Sequence, residues 1–146
     1  IAIICEDLPE ISNYVELDYE NLDSSGMPGV KINYKLSDNT KKMISHGVKR
    51  AKEVLKAAGL KSQIAFAPVR NTGWHLMGTA KMGTNKEKSV VNQFGQSHDV
   101  KNLFILDSSV FVTSSGVNPA STIQALSLMF TTHIIKNKNQ YLEKMI

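Results

Sequence analysis

The chain has 146 residues, which allows one domain or part of a larger protein. Hydrophobic residues make up 42% and charged residues 21%, and no apolar run approaches the roughly 18 residues of a membrane span, which argues against a disordered or membrane-spanning chain. The formal net charge of +4 is a mild excess that would need clustering to indicate nucleic-acid binding. The single cysteine, Cys5, cannot form an internal disulfide, so the compartment stays open, with the cytoplasm as default. The chain begins at Ile1 rather than methionine, and we expect a preceding part to be missing.

Residues 1–35 are predicted to form β structure. Residues 14–18 are a short mixed run, and residues 30–34 alternate apolar and polar side chains, the period of a half-buried strand. The segment between them, residues 21–29, is rich in Asp, Ser, Gly and Pro, which predicts the loop of a hairpin or meander.

A helix is predicted to follow, from Asp38 to Ala58. Ser37 or Asp38 can cap its first amides, and Gly59 supplies the left-handed residue after its last turn. Apolar residues recur along one stripe at spacings of four and three: Ile44, Val48, Ala51, Leu55 and Ala58. Most of the basic residues lie off this stripe, which favours a solvated face over a nucleic-acid or lipid site.

Two loops are predicted in the second half of the sequence. Residues 63–69 are predicted to form a strand, and residues 71–83 then hold three glycines, a density typical of a loop whose backbone approaches something closely. Residues 103–106 are an apolar run that predicts a strand buried on both faces. The polar loop 108–117 follows this strand.

The final helix is predicted to open at Asn118, as a side-chain cap, with Pro119 in the first helical position. Its apolar arc leaves little polar surface, which predicts a buried helix. The Lys- and Asn-rich tail after Ile135 predicts a frayed, solvated end.

Two glycine- and polar-rich segments, residues 73–83 and 107–118, each carry one residue suited to catalysis. His75 offers an imidazole that can accept a proton near neutral pH, and the alternative is a buried histidine satisfied by backbone groups. Asn118 has helix capping as its plainest role, which is compatible with holding negative charge at the positive end of that helix. For the other histidines a structural role is favoured, in which His98 makes a backbone hydrogen bond and His133 satisfies the terminal carbonyls of its helix.

Other classes of site have weak support. The four histidines and Cys5 lack the spacing of metal ligands, and Met77 and Met82 suit packing better than cofactor ligation. No G-x-S-x-G places a nucleophilic serine, and no G-x-G-x-x-G follows a strand, so these residues hold no dinucleotide phosphate loop of their own.

Four collinear stretches together resemble the C-terminal signature of the glucose-methanol-choline (GMC) oxidoreductases, FAD enzymes that oxidise alcohols and sugars. They are GWHLMGTAKMG, SVV, SHDVKNLFILDSSVF and TSSGVNPASTIQALSL. The specific part runs from about Trp74 to Ile134. One departure is Lys81, which stands where arginine is commoner and keeps the charge without the bidentate fork.

The resemblance implies roles for the matching residues. His75 matches the family histidine that takes the hydroxyl proton of the substrate while hydride passes from the same carbon to flavin N5. Asn118 matches a family histidine or asparagine that binds the substrate oxygen. Asp107 and Ser108 match residues near the ribityl and phosphate chain of the flavin.

The start of the final helix is also implied in cofactor binding. Asn118, Pro119 and Thr122 match the segment that faces the flavin ring, where the helix dipole would stabilise the anionic reduced ring.

The expected fold is α+β: part of an antiparallel substrate-domain sheet with a crossing helix, plus the C-terminal strand and buried helix that complete an FAD-binding domain. Residues 1–70 would be the C-terminal part of the substrate-binding domain. Residues 71–146 would hold the catalytic loop and the C-terminal part of the FAD-binding domain.

The expected partners are a small-molecule alcohol or sugar and the missing N-terminal FAD-binding part of the same protein, because the family's adenine and phosphate site lies outside these residues. The chain alone is therefore expected to be inactive. The competing hypothesis is a non-catalytic binding or interaction module that retains the scaffold.

Overall fold

The structure, a computed structural model, describes residues 1–69, 73–114 and 116–143. It divides into two units, Ile1–Thr72 and Gly73–Ile146. Three predictions fall on residues outside the described ranges: the start of the loop 71–83, the domain boundary after residue 70, and Ser115 of the loop 108–117.

The first unit contains a β-hairpin, formed by β1 (Tyr14–Leu22) and β2 (Pro28–Asn33), which pair antiparallel. Both predicted strands are confirmed, and β1 runs on to Leu22. In the turn, a side-chain oxygen of Asp23 accepts hydrogen bonds from the amides of Ser25, at 2.8 Å, and Met27, at 2.9 Å. Gly26 adopts a φ of 79°, the left-handed conformation that this turn requires.

One face of the hairpin is apolar and exposed. The register pairs Val15 with Ile32 and Leu17 with Val30, which puts these four side chains on one face, and all four are exposed. On the opposite face Glu16 accepts a hydrogen bond from Asn33 and pairs with Lys31, both at 2.9 Å. The prediction that 30–34 is half-buried is wrong in this chain, because no described residue covers the apolar side.

The helix predicted from residue 38 is confirmed as α1 (Asp38–Ala57). The Ser37 side chain accepts a hydrogen bond from the Thr40 amide at 3.1 Å, and Gly59 follows the last turn with a φ of 90°. The predicted stripe is half-buried from Ile44 to Leu55, and the lysines off the stripe are exposed, as expected of a solvated face.

The N-terminal segment packs against α1. Thr40 is the buried polar residue of the described chain, with 3% exposure, and its hydroxyl donates to Asp7 at 2.7 Å. The Tyr34 hydroxyl donates to the other oxygen of the same carboxylate. Ile3 lies over Gly47, where a Cβ atom would come within 2.8 Å of the Ile3 Cγ2 atom. The prediction that this helix crosses the sheet is wrong in this chain, because α1 makes no extensive contact with β1 or β2.

The strand predicted at 63–69 does not form. These residues are irregular, and Ile64, Phe66 and Val69 are exposed. The prediction is wrong because the segment has neither a neighbouring strand nor a surface that covers its apolar side chains, and both are needed to stabilise a strand.

The second unit contains the apolar core. Val91, Val110 and Phe130 are fully buried, and the half-buried side chains that pack against them are Met82, Ile105, Leu106, Phe111 and Leu126. Val110 ends a short 3-10 helix, Ser108–Val110, and Phe130 belongs to α2 (Ala120–Lys136).

The strand predicted at 103–106 is also wrong. Phe104 makes a single bridge with Gln96, and the Ile105 amide donates to Gly95 at 2.8 Å, but no ladder continues. The neighbouring segments in this unit are loops, which pair one or two residues at a time.

The final helix is less buried than predicted. Among the described residues of α2 only Phe130 is fully buried, while Leu128 and Ile135 are 70% and 64% exposed. The apolar arc of the helix is wider than the core that this chain provides. The frayed tail is also wrong up to residue 143, because α3 (Lys138–Glu143) forms and the Tyr141 ring packs edge-on against Phe104, with 5.2 Å between centroids.

The antiparallel hairpin and the helices confirm the α+β class. Among the described residues, none of the helices combines the length and the apolar composition needed to cross a bilayer.

Candidate active site

The two loops predicted to carry the site lie side by side in the second unit. The amides of Gly78, Ala80 and Met82 donate to the carbonyls of residues 108, 109 and 110, at 3.3, 2.9 and 2.8 Å. Met82 and Val110 both belong to the core cluster, so the ladder is anchored at its Met82 end. Gly78 suits the ladder because its φ is 89° and a Cβ atom there would lie 3.3 Å from the Phe111 carbonyl oxygen.

A second set of hydrogen bonds holds the far end of this ladder. The Gly83 amide donates to Val91 at 2.9 Å. His98 Nε2 lies 3.1 Å from the Gly83 carbonyl oxygen and 3.0 Å from the Ser89 hydroxyl. The predicted backbone hydrogen bond of His98 is therefore confirmed, and the imidazole joins three separate parts of the loop region.

His75 lies at a bend. The next residue, Leu76, is the first on this segment with a described hydrogen bond to the second loop. The His75 side chain is half-buried, and no described residue offers the ring a hydrogen-bond partner. Its neighbours Trp74 and Leu76 are 76% and 72% exposed. The alternative of a buried histidine satisfied by backbone groups does not describe this residue.

Ser108 and Asp107 lie next to the His75 segment. The Ser108 hydroxyl donates to the Leu76 carbonyl at 2.9 Å. Asp107 caps the short 3-10 helix by accepting from the Ser109 amide at 2.8 Å. Hydrogen bonds from the side chain and the amide of Ser109 lower the pKa of Asp107 from its ordinary value, so this carboxylate is an anion at neutral pH.

The start of α2 differs from the prediction. The helix begins at Ala120, Pro119 takes the N-cap position, and no side chain of a described residue caps the first turn. The capping role predicted for Asn118 is wrong, because the first helical hydrogen bond runs from the Ile123 amide to the Pro119 carbonyl and leaves Asn118 one residue too early. Asn118 and Thr122 are exposed, and no hydrogen bond between described residues joins Asn118 to His75, so the pairing of these two stays a prediction.

His133 has a different role from the one predicted. Its ring stacks on Phe94, with 3.5 Å between centroids and 5° between planes. The last-turn carbonyl of residue 133 instead accepts hydrogen bonds from the amide of Asn137, at 3.1 Å, and from its side chain, at 2.8 Å.

Sequence reasoning missed Gly95, which closes the core beneath the loops. Its φ is 76°, and a Cβ atom there would lie 2.6 Å from the Ile105 carbonyl oxygen and 2.9 Å from the Phe130 ring. The signal was present: Asn92 precedes Gly95 by three residues, and its side chain accepts from the Phe94 amide at 2.8 Å, a turn typical of Asn and Gly.

The described residues contain no group of three or more His, Cys, Asp or Glu side chains arranged to hold a metal ion.

Comparison with known proteins places this chain in a family. Residues 9–127 match the model of the GMC oxidoreductases. The chain is 42% identical over 125 residues to a 2-methyl-1,2-propanediol dehydrogenase of Mycolicibacterium austroafricanum, covering 84% of this chain and 22% of that protein. It is 33% identical over 133 residues to a 6'''-hydroxyparomomycin C oxidase of Streptomyces lividus, covering 88% and 23%.

A third relative, the fructose dehydrogenase large subunit of Gluconobacter japonicus, is 28% identical over 135 residues, covering 92% of this chain and 25% of that protein. The chain thus spans between a fifth and a quarter of the length of these relatives. The match extends across both units. The chain belongs to the GMC oxidoreductase family and corresponds to the family's C-terminal domain.

Proposed function

We propose that this chain is the C-terminal part of an FAD-dependent oxidoreductase that transfers a hydride from the CH–OH carbon of an alcohol or sugar to flavin, with His75 as the base. The observation that carries the proposal is the state of His75: a half-buried imidazole without a partner among the described residues, on a segment tied to residues 108–110.

The proposed reaction needs a base. An alcohol carbon that loses a hydride becomes a carbonyl only when its hydroxyl loses a proton in the same reaction. A neutral imidazole takes that proton at one ring nitrogen, and His75 has both nitrogens free of described hydrogen bonds.

Asn118 binds the substrate oxygen in this proposal. Its amide is exposed and is not used as a helix cap, so its N–H groups are free to donate to the oxygen. An amide orients the oxygen without competing for its proton, which leaves proton transfer to His75.

The described residues fit a flavin. No side chain of a described residue caps the first turn of α2, which follows Pro119 and includes Thr122, so the free amides of this turn and the positive end of the helix suit an anionic ring. The Asp107 carboxylate suits the donor hydroxyls of a ribityl chain and would repel a phosphate. FAD, when bound, supplies the acceptor for the hydride. The proposal assigns its adenine and phosphate sites to another part of the same polypeptide, in keeping with the share of its relatives that this chain spans.

The proposal is tested with His75→Gln in the full-length protein that contains this chain. We expect flavin to stay bound and its reduction by an alcohol substrate to slow by about 10²- to 10⁴-fold, the usual contribution of a general base. Stopped-flow absorbance of the flavin measures the rate. His46→Gln is the matched control, because His46 is exposed on α1 in the first unit. In this variant the alcohol should reduce the flavin at the normal rate. A normal rate of flavin reduction in His75→Gln would remove this residue from the mechanism. An unaltered full-length protein that binds no flavin would refute FAD as the cofactor.

The second candidate function is a non-catalytic binding or interaction module. The exposed apolar face formed by Val15, Leu17, Val30 and Ile32 favours it, since such a face is typical of a surface that another protein segment covers. The two functions differ in one result: a module gives no reduction of flavin by alcohols in the unaltered full-length protein.

A further inference from the structure

The Ser108 side chain extends the ladder between the two site loops toward His75. The backbone ladder runs from Met82 through Ala80 to Gly78, and the Gly78 amide donates to the Ser108 carbonyl at 3.3 Å. Beyond Gly78 the next link is made by a side chain, because the Ser108 hydroxyl donates to the Leu76 carbonyl at 2.9 Å. One residue, Ser108, thus accepts at one link and donates at the next, and the second link ends at the residue that follows His75.

No other described hydrogen bond involves residues 73–77. The side chains of Trp74 and Leu76 add little packing, since both are largely exposed and the Leu76 side chain folds back over Gly73, where a Cβ atom would lie 2.7 Å from its Cδ2 atom; His75 and Met77 are half-buried. Among the described residues, the Leu76 carbonyl is therefore the point at which a hydrogen bond ties the His75 bend to the rest of the unit.

The same contact limits what Ser108 can do for a cofactor. A serine hydroxyl has one proton to donate, and that proton is directed to the Leu76 carbonyl. A phosphate oxygen needs a donor, so the side chain cannot serve the Leu76 carbonyl and a phosphate at the same time.

We propose that Ser108 is a positioning residue for His75, whose hydroxyl fixes the backbone from which the imidazole extends, and that its side chain is not a phosphate ligand. The inference rests on the proposed function, in which His75 is the base. Small displacements of a reacting group carry large costs in rate, so the loss of this link reaches the chemistry although Ser108 does not touch the substrate.

The experiment compares three variants in the full-length protein: Ser108→Ala, which removes the hydroxyl, Ser108→Thr, which keeps it, and Ser127→Ala. Ser127 is the matched control, because its hydroxyl makes the same kind of bond, to the Leu106 carbonyl in the same unit, away from residues 73–77. Flavin content, the limiting rate of flavin reduction, the half-saturating alcohol concentration and the hydrogen exchange of peptides covering residues 73–83 are measured.

We expect Ser108→Ala to keep its flavin and its half-saturating alcohol concentration, to lose about 10- to 100-fold in the limiting rate, and to exchange faster within residues 73–83. Ser108→Thr should restore both rate and protection, and Ser127→Ala should change neither. If Ser108→Ala does not fold, Ser108→Cys takes its place, since a thiol of similar size is a weaker donor and should slow reduction in the same direction.

Two results overturn the inference alone. One is an unaltered rate in Ser108→Ala alongside a slow His75→Gln, and the other is loss of flavin from Ser108→Ala, which would make the hydroxyl a cofactor ligand. A normal rate of flavin reduction in both Ser108→Ala and His75→Gln would instead refute the assignment of His75 as the base. The inference would then fail together with the proposed function.

Discussion

The two units of the chain are stabilised by different interactions. In the first unit the buried residue among those described is polar, Thr40. Side-chain hydrogen bonds join the segments of this unit, since Asp7 accepts from both Tyr34 and Thr40. Asn13 also exchanges two hydrogen bonds with the backbone of Lys35, at 3.1 and 2.9 Å. In the second unit three apolar side chains are fully buried, and the loops around them are joined mainly through backbone groups.

The comparison shows that most of the hairpin and helix structure of the first unit forms without the apolar core, which lies in the second unit. The hairpin and the longest helix lie in the unit without a described apolar core, whereas the core lies under irregular loops. The candidate site belongs to the irregular loops that lie over the core. Its loops carry polar chemistry because apolar side chains beneath them, Val110 and Met82, fix one end of the ladder.

The largest expected effect comes from Phe130→Ala. The ring extends from α2 and is fully buried in the core with Val91 and Val110, so its removal should lower the free energy of unfolding by about 3–5 kcal/mol, measured by urea denaturation. Leu17→Ala is the matched change in the first unit, where the side chain is exposed, and should cost no more than about 0.5 kcal/mol. Equal costs for the two variants would contradict the difference between the units.

A smaller effect is expected from a pair of glycines that share one backbone conformation. Gly26 and Gly95 both have a left-handed φ, so alanine at either position costs about 1–2 kcal/mol in backbone strain. At Gly26 a Cβ atom meets nothing within 4 Å, but at Gly95 it meets the Ile105 carbonyl and the Phe130 ring. Overpacking should make Gly95→Ala the costlier change by about 1–3 kcal/mol, measured by urea denaturation.

The pair also tests whether the core is closely packed. If Gly95→Ala and Gly26→Ala cost the same, the loop at Gly95 moves aside without resistance, and the second unit would lack the tight packing that distinguishes it from the first.

Local signals in the sequence predicted the parts of the fold that depend on neighbours in the chain. Ser37 and Gly59 gave the start and end of α1 because a cap and a left-handed residue act within one turn of the helix. The hairpin was predicted for the same reason, since alternation and the Asp- and Gly-rich turn are both local.

Features that depend on distant partners were not predictable in the same way. Residues 63–69 and 103–106 have the composition of strands, but a strand forms only where another segment offers its backbone. The burial of α2 was overestimated because periodicity shows which residues are apolar and not how much of the helix is covered.

The candidate site shows the same division. The motif pointed to His75 and Ser108, yet it could not show that the Ser108 hydroxyl is directed to the Leu76 carbonyl, 32 residues away in sequence. Asn118 was predicted as a cap from its position before a proline, and a shift of the helix start to Ala120 was enough to remove that role.

The smallest expected effect concerns a side-chain link in the first unit. Partial burial of the ring, with the hydrogen bond to Asp7 and the charge of that carboxylate, raises the pKa of Tyr34 from 10.0 to about 12. A pKa that is higher in the folded state means that this contribution to stability is fully present below about pH 10 and is lost as the pH rises through about 12. The difference in phenolate absorbance between the unaltered chain and Tyr34→Phe isolates this titration. We expect its midpoint at about 12 and only a partial fall in Asp7→Asn, because burial is the larger cause. A midpoint near the ordinary value of about 10 in the unaltered chain would show that Asp7 does not hold the hydroxyl, and the polar links of the first unit would then be weaker than its contacts indicate.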